Sequence, residues 1–174
     1  MAKKPPKALL KGIFKKADEY LDHFVPPTRG YRPQQLKPNQ KYTAGEFNYK
    51  YETDDLGRIK KAEADKLQLT KRDDRLSHQD KTPGKRDGDH AGHVFGDRFG
   101  GSPEVDNLLS QAADVNLGSY KKLENEWADA LEAGKDVKVK VEPKYDGDGM
   151  RPTEFKVNYT VTPPGKVKTE VIKQ

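Results

Sequence analysis

The sequence predicts an α+β protein whose strands pair antiparallel, and three observations carry that expectation. Apolar and polar residues alternate over residues 47–53, and again over 137–141 and 155–161, which is the two-residue period of half-buried strands. Apolar residues recur at three and four over 117–133, the period of a helix with one buried face. Gly/Asp turn chemistry (Asp54-Asp55-Leu56-Gly57, then residues 145–150) separates each strand run from the next at hairpin distance.

The elements follow in order. Leu10, Ile13, Phe14, Ala17, Leu21 and Phe24 share helical spacing, with Lys11, Lys15 and Lys16 elsewhere on the cylinder, so residues 1–24 are expected to hold a basic amphipathic helix. Pro26, Pro27, Gly30, Pro33 and Pro38 make residues 25–41 a linker. The main domain is expected over 42–162. It begins with a hairpin from 47–53 returning through 58–69. Residues 70–89, dense in charge and carrying Pro83, Gly84 and Gly88, then form a loop into a histidine-bearing, Gly-rich segment, Asp89 to Gly101. Residues 106–116 are short and mixed. In the helix over 117–133, Leu117, Tyr120, Leu123, Trp127, Ala130 and Leu131 line one face, and Gly134 is the expected C-cap. Val137, Val139 and Val141 pair with a strand bearing Phe155, Val157, Tyr159 and Val161. Pro163-Pro164-Gly165 ends that strand, and residues 163–174 read as a frayed tail.

Composition narrows the function classes. The chain has 174 residues, enough for one domain with an appendage, and at 32% hydrophobic and 35% charged residues its core is modest. Mean hydropathy is −1.06. With no cysteine there is neither a disulfide scaffold nor a thiolate zinc site. No apolar run is long enough to span a membrane. The opening Met1-Ala2-Lys3-Lys4-Pro5-Pro6 lacks the apolar core of a signal peptide, so export would need another system. The net charge of +5 is uneven: residues 1–40 hold nine basic and three acidic residues, while the remainder is close to neutral. A basic arm of that kind suits a polyanionic partner.

The segment around His93 offers chemistry. Hydrolysis of a phosphodiester needs a base for water, charge neutralisation at phosphate and stabilisation of the leaving oxygen. A histidine titrating near neutrality serves the first need, and a hard cation held by oxygens serves the other two. His93 offers the base, Asn116 an amide oxygen, and Glu124, two helical turns further on, a carboxylate. Arg98 or Arg151 could meet the phosphate. The same residues also have structural readings: His93 as incidental to a Gly-rich loop, Asn116 as an N-cap, and Glu124 and Glu126 as solvated helix positions. His90 and His93 are three apart, while His23 and His78 are not clearly near them, so four histidines make no convincing zinc site.

Several motifs together resemble one family. His90-Ala91-Gly92-His93-Val94 followed by Asp97-Arg98-Phe99-Gly100-Gly101 resembles the DNA/RNA non-specific endonucleases, in particular the branch found as C-terminal domains of bacterial polymorphic toxins. Tyr51-Glu52-Thr53-Asp54 with Gly57-Arg58-Ile59 resembles the upstream hairpin of that branch. Asn107-Leu108-Leu109, Asn116, Tyr120-Lys121-Lys122-Leu123-Glu124 and Trp127 resemble its metal-bearing segment. Gly134-Lys135, Val137, Tyr145 and Arg151-Pro152 resemble its closing hairpin. The resemblance runs from about residue 42 to 161.

The resemblance implies a ββα-metal nuclease core with one magnesium ion, manganese being the alternative. It implies His93 as general base, Asn116 as the main protein ligand, and Glu124 as holder of a metal-bound water, with Glu126 as substitute. Arg98 and Arg151 match basic positions expected to touch phosphate. It further implies cleavage of DNA, and of RNA as a second substrate, with little sequence preference. The setting would be a secreted or injected bacterial effector acting in the target-cell cytoplasm and paired with an immunity protein. One position departs from the pattern: where the family commonly has Asp three residues before the catalytic histidine, this chain has His90, with Asp89 one step earlier. Either Asp89 takes over that supporting role, or His90 supplies another hydrogen bond, or activity is impaired. The competing reading is a catalytically impaired module that binds nucleic acid through its basic N-terminal arm.

Overall fold

The computed structural model describes His23 and residues 35–174. The helix expected over 1–24 and most of the linker expected over 25–41 lie outside the described residues, as does the basic arm on which the binding-module reading rests. The described elements are β1 (Lys41–Ala44), β2 (Tyr49–Thr53), β3 (Ile59–Ala64), β4 (Asp89–His93), a 3-10 turn (Asp97–Phe99), β5 (Leu108–Ala112), a π turn (Val115–Ser119), α1 (Tyr120–Glu132), β6 (Asp136–Lys144), β7 (Glu154–Thr162) and β8 (Lys166–Lys173). Among the described residues two sheets form. Six strands run β1-β2-β3-β6-β7-β8, and β4 pairs with β5. All neighbours are antiparallel, as the alternating sequence requires of a sheet buried on one face.

The first hairpin turns where its chemistry directs. Asp54 accepts from the backbone N–H of Leu56 and Arg58 and pairs with the Arg58 guanidinium at 2.7 Å. Gly57 supplies the positive φ of 73°. The non-local step is the seam between β3 and β6, where Ala62 faces Val141 and Ala64 faces Val139. Small residues on one strand and branched ones on the next leave a shallow trough, and α1 fills it. Tyr120, Leu123, Trp127 and Ala128 are its buried residues. Trp127 is fully buried, with ring centroids 6.2 Å from Phe99, 6.5 Å from Tyr120 and 5.7 Å from Tyr159. The helix closes in a Schellman motif: Gly134, at φ 78°, donates to Leu131 O, and Lys135 donates to Ala130 O.

Four expectations change. A third strand, β1, precedes the first hairpin; at four residues it is too short to show a period. The histidine segment begins as strand β4 rather than as loop. The helix expected from Leu117 starts at Tyr120, behind a π turn in which Tyr120 N–H reaches back to Val115 O. Within residues 163–174, expected as a tail, Lys166–Lys173 form β8, which pairs with β7 along its whole length. Only Ile172 of β8 is buried, so main-chain hydrogen bonds rather than apolar burial hold this edge strand, and its hydrophobic pattern is correspondingly weak.

Candidate catalytic site

β4, β5 and α1 follow one another as a β-β-α unit, and the candidate residues sit where the three meet. The chain leaving His93 is fixed by Asn107, which is fully buried. Its Oδ1 accepts from Phe95 N–H at 3.0 Å and from the Tyr51 hydroxyl at 2.7 Å, and its Nδ2 donates to Phe95 O and Ser102 O. Tyr120 of α1 donates to Val94 O at 2.7 Å. Both sides of the turn are therefore held by buried polar side chains, which fixes where His93 emerges. Two glycines allow the close approach. A Cβ on Gly92 would run into the Gln111 amide of β5, and one on Gly96 into the Glu124 carboxylate of α1.

His90, His93, Asn116 and Glu124 line one cavity of about 670 Å³, with Asp89 and Arg98. They come from four places: Asp89, His90 and His93 from β4, Asn116 from the π turn, Glu124 from α1 and Arg98 from the 3-10 turn. Asn116 does not cap the helix; Asp114 occupies the cap position of the π turn and accepts from Val115 N–H, and Ser119 stands at the cap of α1. The Asn116 amide instead meets His90, Nδ2 to Nδ1, at 3.0 Å. Arg98 reaches Asn125 Oδ1 at 2.6 Å on the rim.

Arg151 is absent from the cavity wall. Its guanidinium forms a two-pronged pair with Asp89, at 2.7 and 2.9 Å, with side chains only 12% and 5% exposed. That pair holds the Asp89 carboxyl below the usual range. Glu126 also faces elsewhere. It accepts from the Tyr159 hydroxyl and pairs with Lys168, joining α1 to β7 and β8. His23 stacks on Tyr42 at 4.3 Å and meets Asp106 at 3.1 Å.

Sequence reading missed several cavity residues. His78, Arg75 and Lys85 come from the loop before β4, Lys121 from α1, and Asp97 from the 3-10 turn. His78 lies against His93, with ring centroids 4.8 Å apart. Nothing in the spacing of the loop residues marks them, because a loop reaches its target through turns that have no period.

Electrostatics differentiate the two central groups. Burial pushes His93 down to about 4, His78 adds to the effect, and Asp97 opposes it. Burial pushes the Glu124 carboxyl up to about 7, against the pull of Arg98, Lys121 and Arg75. At neutral pH His93 is thus an uncharged base, and Glu124 is a carboxyl that burial keeps partly protonated.

The donors also suit a metal of one kind. Among the described residues no group of three or more His, Cys, Asp or Glu is placed to hold an ion, which argues against a zinc-type cage. Oxygen donors from Asn116 and Glu124 in one cavity fit a hard divalent cation that keeps most of its waters and takes one or two protein oxygens. A desolvated carboxylate is the electrostatic counterpart such an ion needs.

Comparison with known proteins gives a family and a fold. Residues 38–163 match the family described as DNA/RNA non-specific endonuclease. The chain is 42% identical over 139 residues to the type VII secretion system protein EssD of Staphylococcus aureus strain USA300, and equally to that of strain Newman. The match covers 75% of this chain and 22% of EssD. The chain thus spans about a fifth of the length of the curated relatives it matches. Its fold is shared with NucA from Streptococcus agalactiae. The metal-free crystal structure has a TM-score of 0.51 at 15% identity, covering 91% of this chain and 88% of that one. The structure with magnesium bound has a TM-score of 0.50 at 15% identity, covering 92% and 88%.

Proposed function

Because the chain belongs to the DNA/RNA non-specific endonuclease family, we propose that the His93 cavity hydrolyses phosphodiester bonds of DNA, and of RNA as a second substrate, with little sequence preference and with one magnesium ion, for which manganese can substitute. The observation that carries this reading is the convergence of a neutral, desolvated imidazole with an amide and a carboxylate from separate elements in one cavity.

In this reading a ring nitrogen of His93 takes the proton of the attacking water. Asn116 would hold the cation through its amide oxygen, and Glu124 would hold a water bound to it. The cation, when bound, neutralises phosphate charge and stabilises the leaving oxygen. Arg98, with Lys121 beside it on the rim, holds the phosphate. These groups address the backbone and leave base edges unread, which accounts for low sequence preference. Arg151 acts at one remove, securing β4 through Asp89, while His90 orients Asn116; the two together take the place of the family's aspartate.

The likeness to EssD supports a cellular setting. The chain is proposed as the toxin domain of a larger secreted or injected bacterial effector, active in the target-cell cytoplasm and restrained by an immunity protein.

Plasmid degradation tests the reading. The parent should cut with magnesium and stop with chelator. His93→Ala should lose about two to four orders of magnitude in rate with its melting temperature intact. Cutting by that variant at the parental rate would remove His93 from the mechanism.

A further inference from the structure

Resting on that reading, we propose that His78 is a positioning residue for His93: its imidazole packs edge-on against the His93 ring and holds that ring in the one orientation from which it can take a proton from water.

The contact is built from both sides. The two rings stand 4.8 Å apart between centroids at 61°, an edge-to-face arrangement. The loop carrying His78 has no regular structure of its own, yet it is tied down immediately before and after it. Arg72 pairs with Asp97 at 2.9 Å, Leu76 N–H donates to Asp97 Oδ1 at 3.3 Å, and Gln79 N–H donates to Pro103 O at 2.8 Å. Glu46, in the turn between β1 and β2, adds a tether, accepting from the Thr70 hydroxyl and from Lys71 N–H. Asp97 lies one residue beyond Gly96, where α1 presses its Glu124 carboxylate. The same short segment that receives the helix therefore also anchors the loop, and His78 is delivered to His93 by the frame that sets Glu124.

A ring left with open space beside it samples several rotamers, and proton transfer needs the nitrogen within hydrogen-bond reach of the water. An edge-on neighbour removes the alternatives without using either nitrogen of His93. The other charged groups near His93, Arg75 and Asp97, exert charge without a flat surface and do not substitute for this contact.

The test compares His78→Ala, His78→Phe and the parent on a fluorogenic DNA duplex with magnesium. His78→Ala should lower kcat by about one to two orders of magnitude, the cost of a small misplacement of a reacting group, with KM within twofold. His78→Phe keeps the flat ring and should recover most of that loss. Because His78 is exposed, melting temperatures should agree within a few degrees. If His78→Phe is as slow as His78→Ala, or if the alanine variant raises KM while kcat holds, the ring meets the substrate through its nitrogens and the proposal falls. Parental kinetics in both variants also overturn it. An inactive parent, by contrast, would overturn the nuclease reading itself.

Discussion

At the scale of single residues, the two central groups titrate in opposite senses, and this gives a test that needs no substrate. Between about 4 and 6.5 the unfolded chain takes up a proton at residue 93 that the native state refuses. The contribution of His93 to stability therefore rises with pH through that window and is complete above it. Glu124 does the reverse. Between 4.5 and about 7 the native state keeps a proton that the unfolded chain releases, so its contribution is present below 4.5 and is lost as pH climbs to 7. In chelator the two slopes offset each other where they overlap. Urea midpoints across this range should therefore fall with pH in His93→Gln and rise with pH in Glu124→Gln, with the parent flatter than either. Two variants that both track the parent would show that neither group is desolvated as described. The same scale separates Arg98 from Arg151. Both are arginines near the histidine segment in sequence or in space, but one stands on the cavity rim and the other is committed to Asp89.

At the scale of elements, strands and helix act as mounts for side chains whose partners lie far off in sequence. β8 is an instance. The Gln174 side chain that follows it accepts from Ala112 N–H at 2.8 Å and donates to Ser110 O and Pro152 O, tying the end of the chain to β5 and to the loop before β7. Gln174→Ala leaves the Ala112 N–H and two carbonyls without these partners. A loss of about 1–3 kcal/mol in unfolding free energy is expected; a freely frayed end would show none when measured by denaturant titration. The π turn is a second instance. By placing one more residue in the turn than an α-helix would, it presents Asn116 to His90 while Glu124 emerges from regular helix. Such turns recur at functional sites for this reason.

At the scale of the whole molecule, the cavity exists only where the β-β-α unit, the 3-10 turn and the preceding loop close on one another. An ion bound there would stabilise the assembled state alone. Adding magnesium to the chelated protein should raise the melting temperature in a concentration-dependent way, as binding to the native state requires, and Asn116→Ala should abolish most of that rise. An equal rise in parent and variant would place the ion elsewhere. Among the described residues no helix is long and apolar enough to cross a membrane.

What could be read from the amino-acid chain was whatever is encoded locally. The alternation in β2, β6 and β7 and the helical spacing of Tyr120, Leu123 and Trp127 are properties of a few neighbouring residues, because each element buries one face and its period shows it. Resemblance singled out His93, Asn116 and Glu124, which line one cavity, since motif order survives in sequence even where distance does not. The rest depended on the tertiary structure. β8 has a weak apolar pattern because pairing, not burial, forms it, and β4 has one because its buried positions are Ala91 and Gly92. His78 reaches His93 across an aperiodic loop and the length of β4, and Arg151 is drawn to Asp89 across sixty-two residues. Pairings between side chains that far apart are set by how the elements pack, and no local pattern records them.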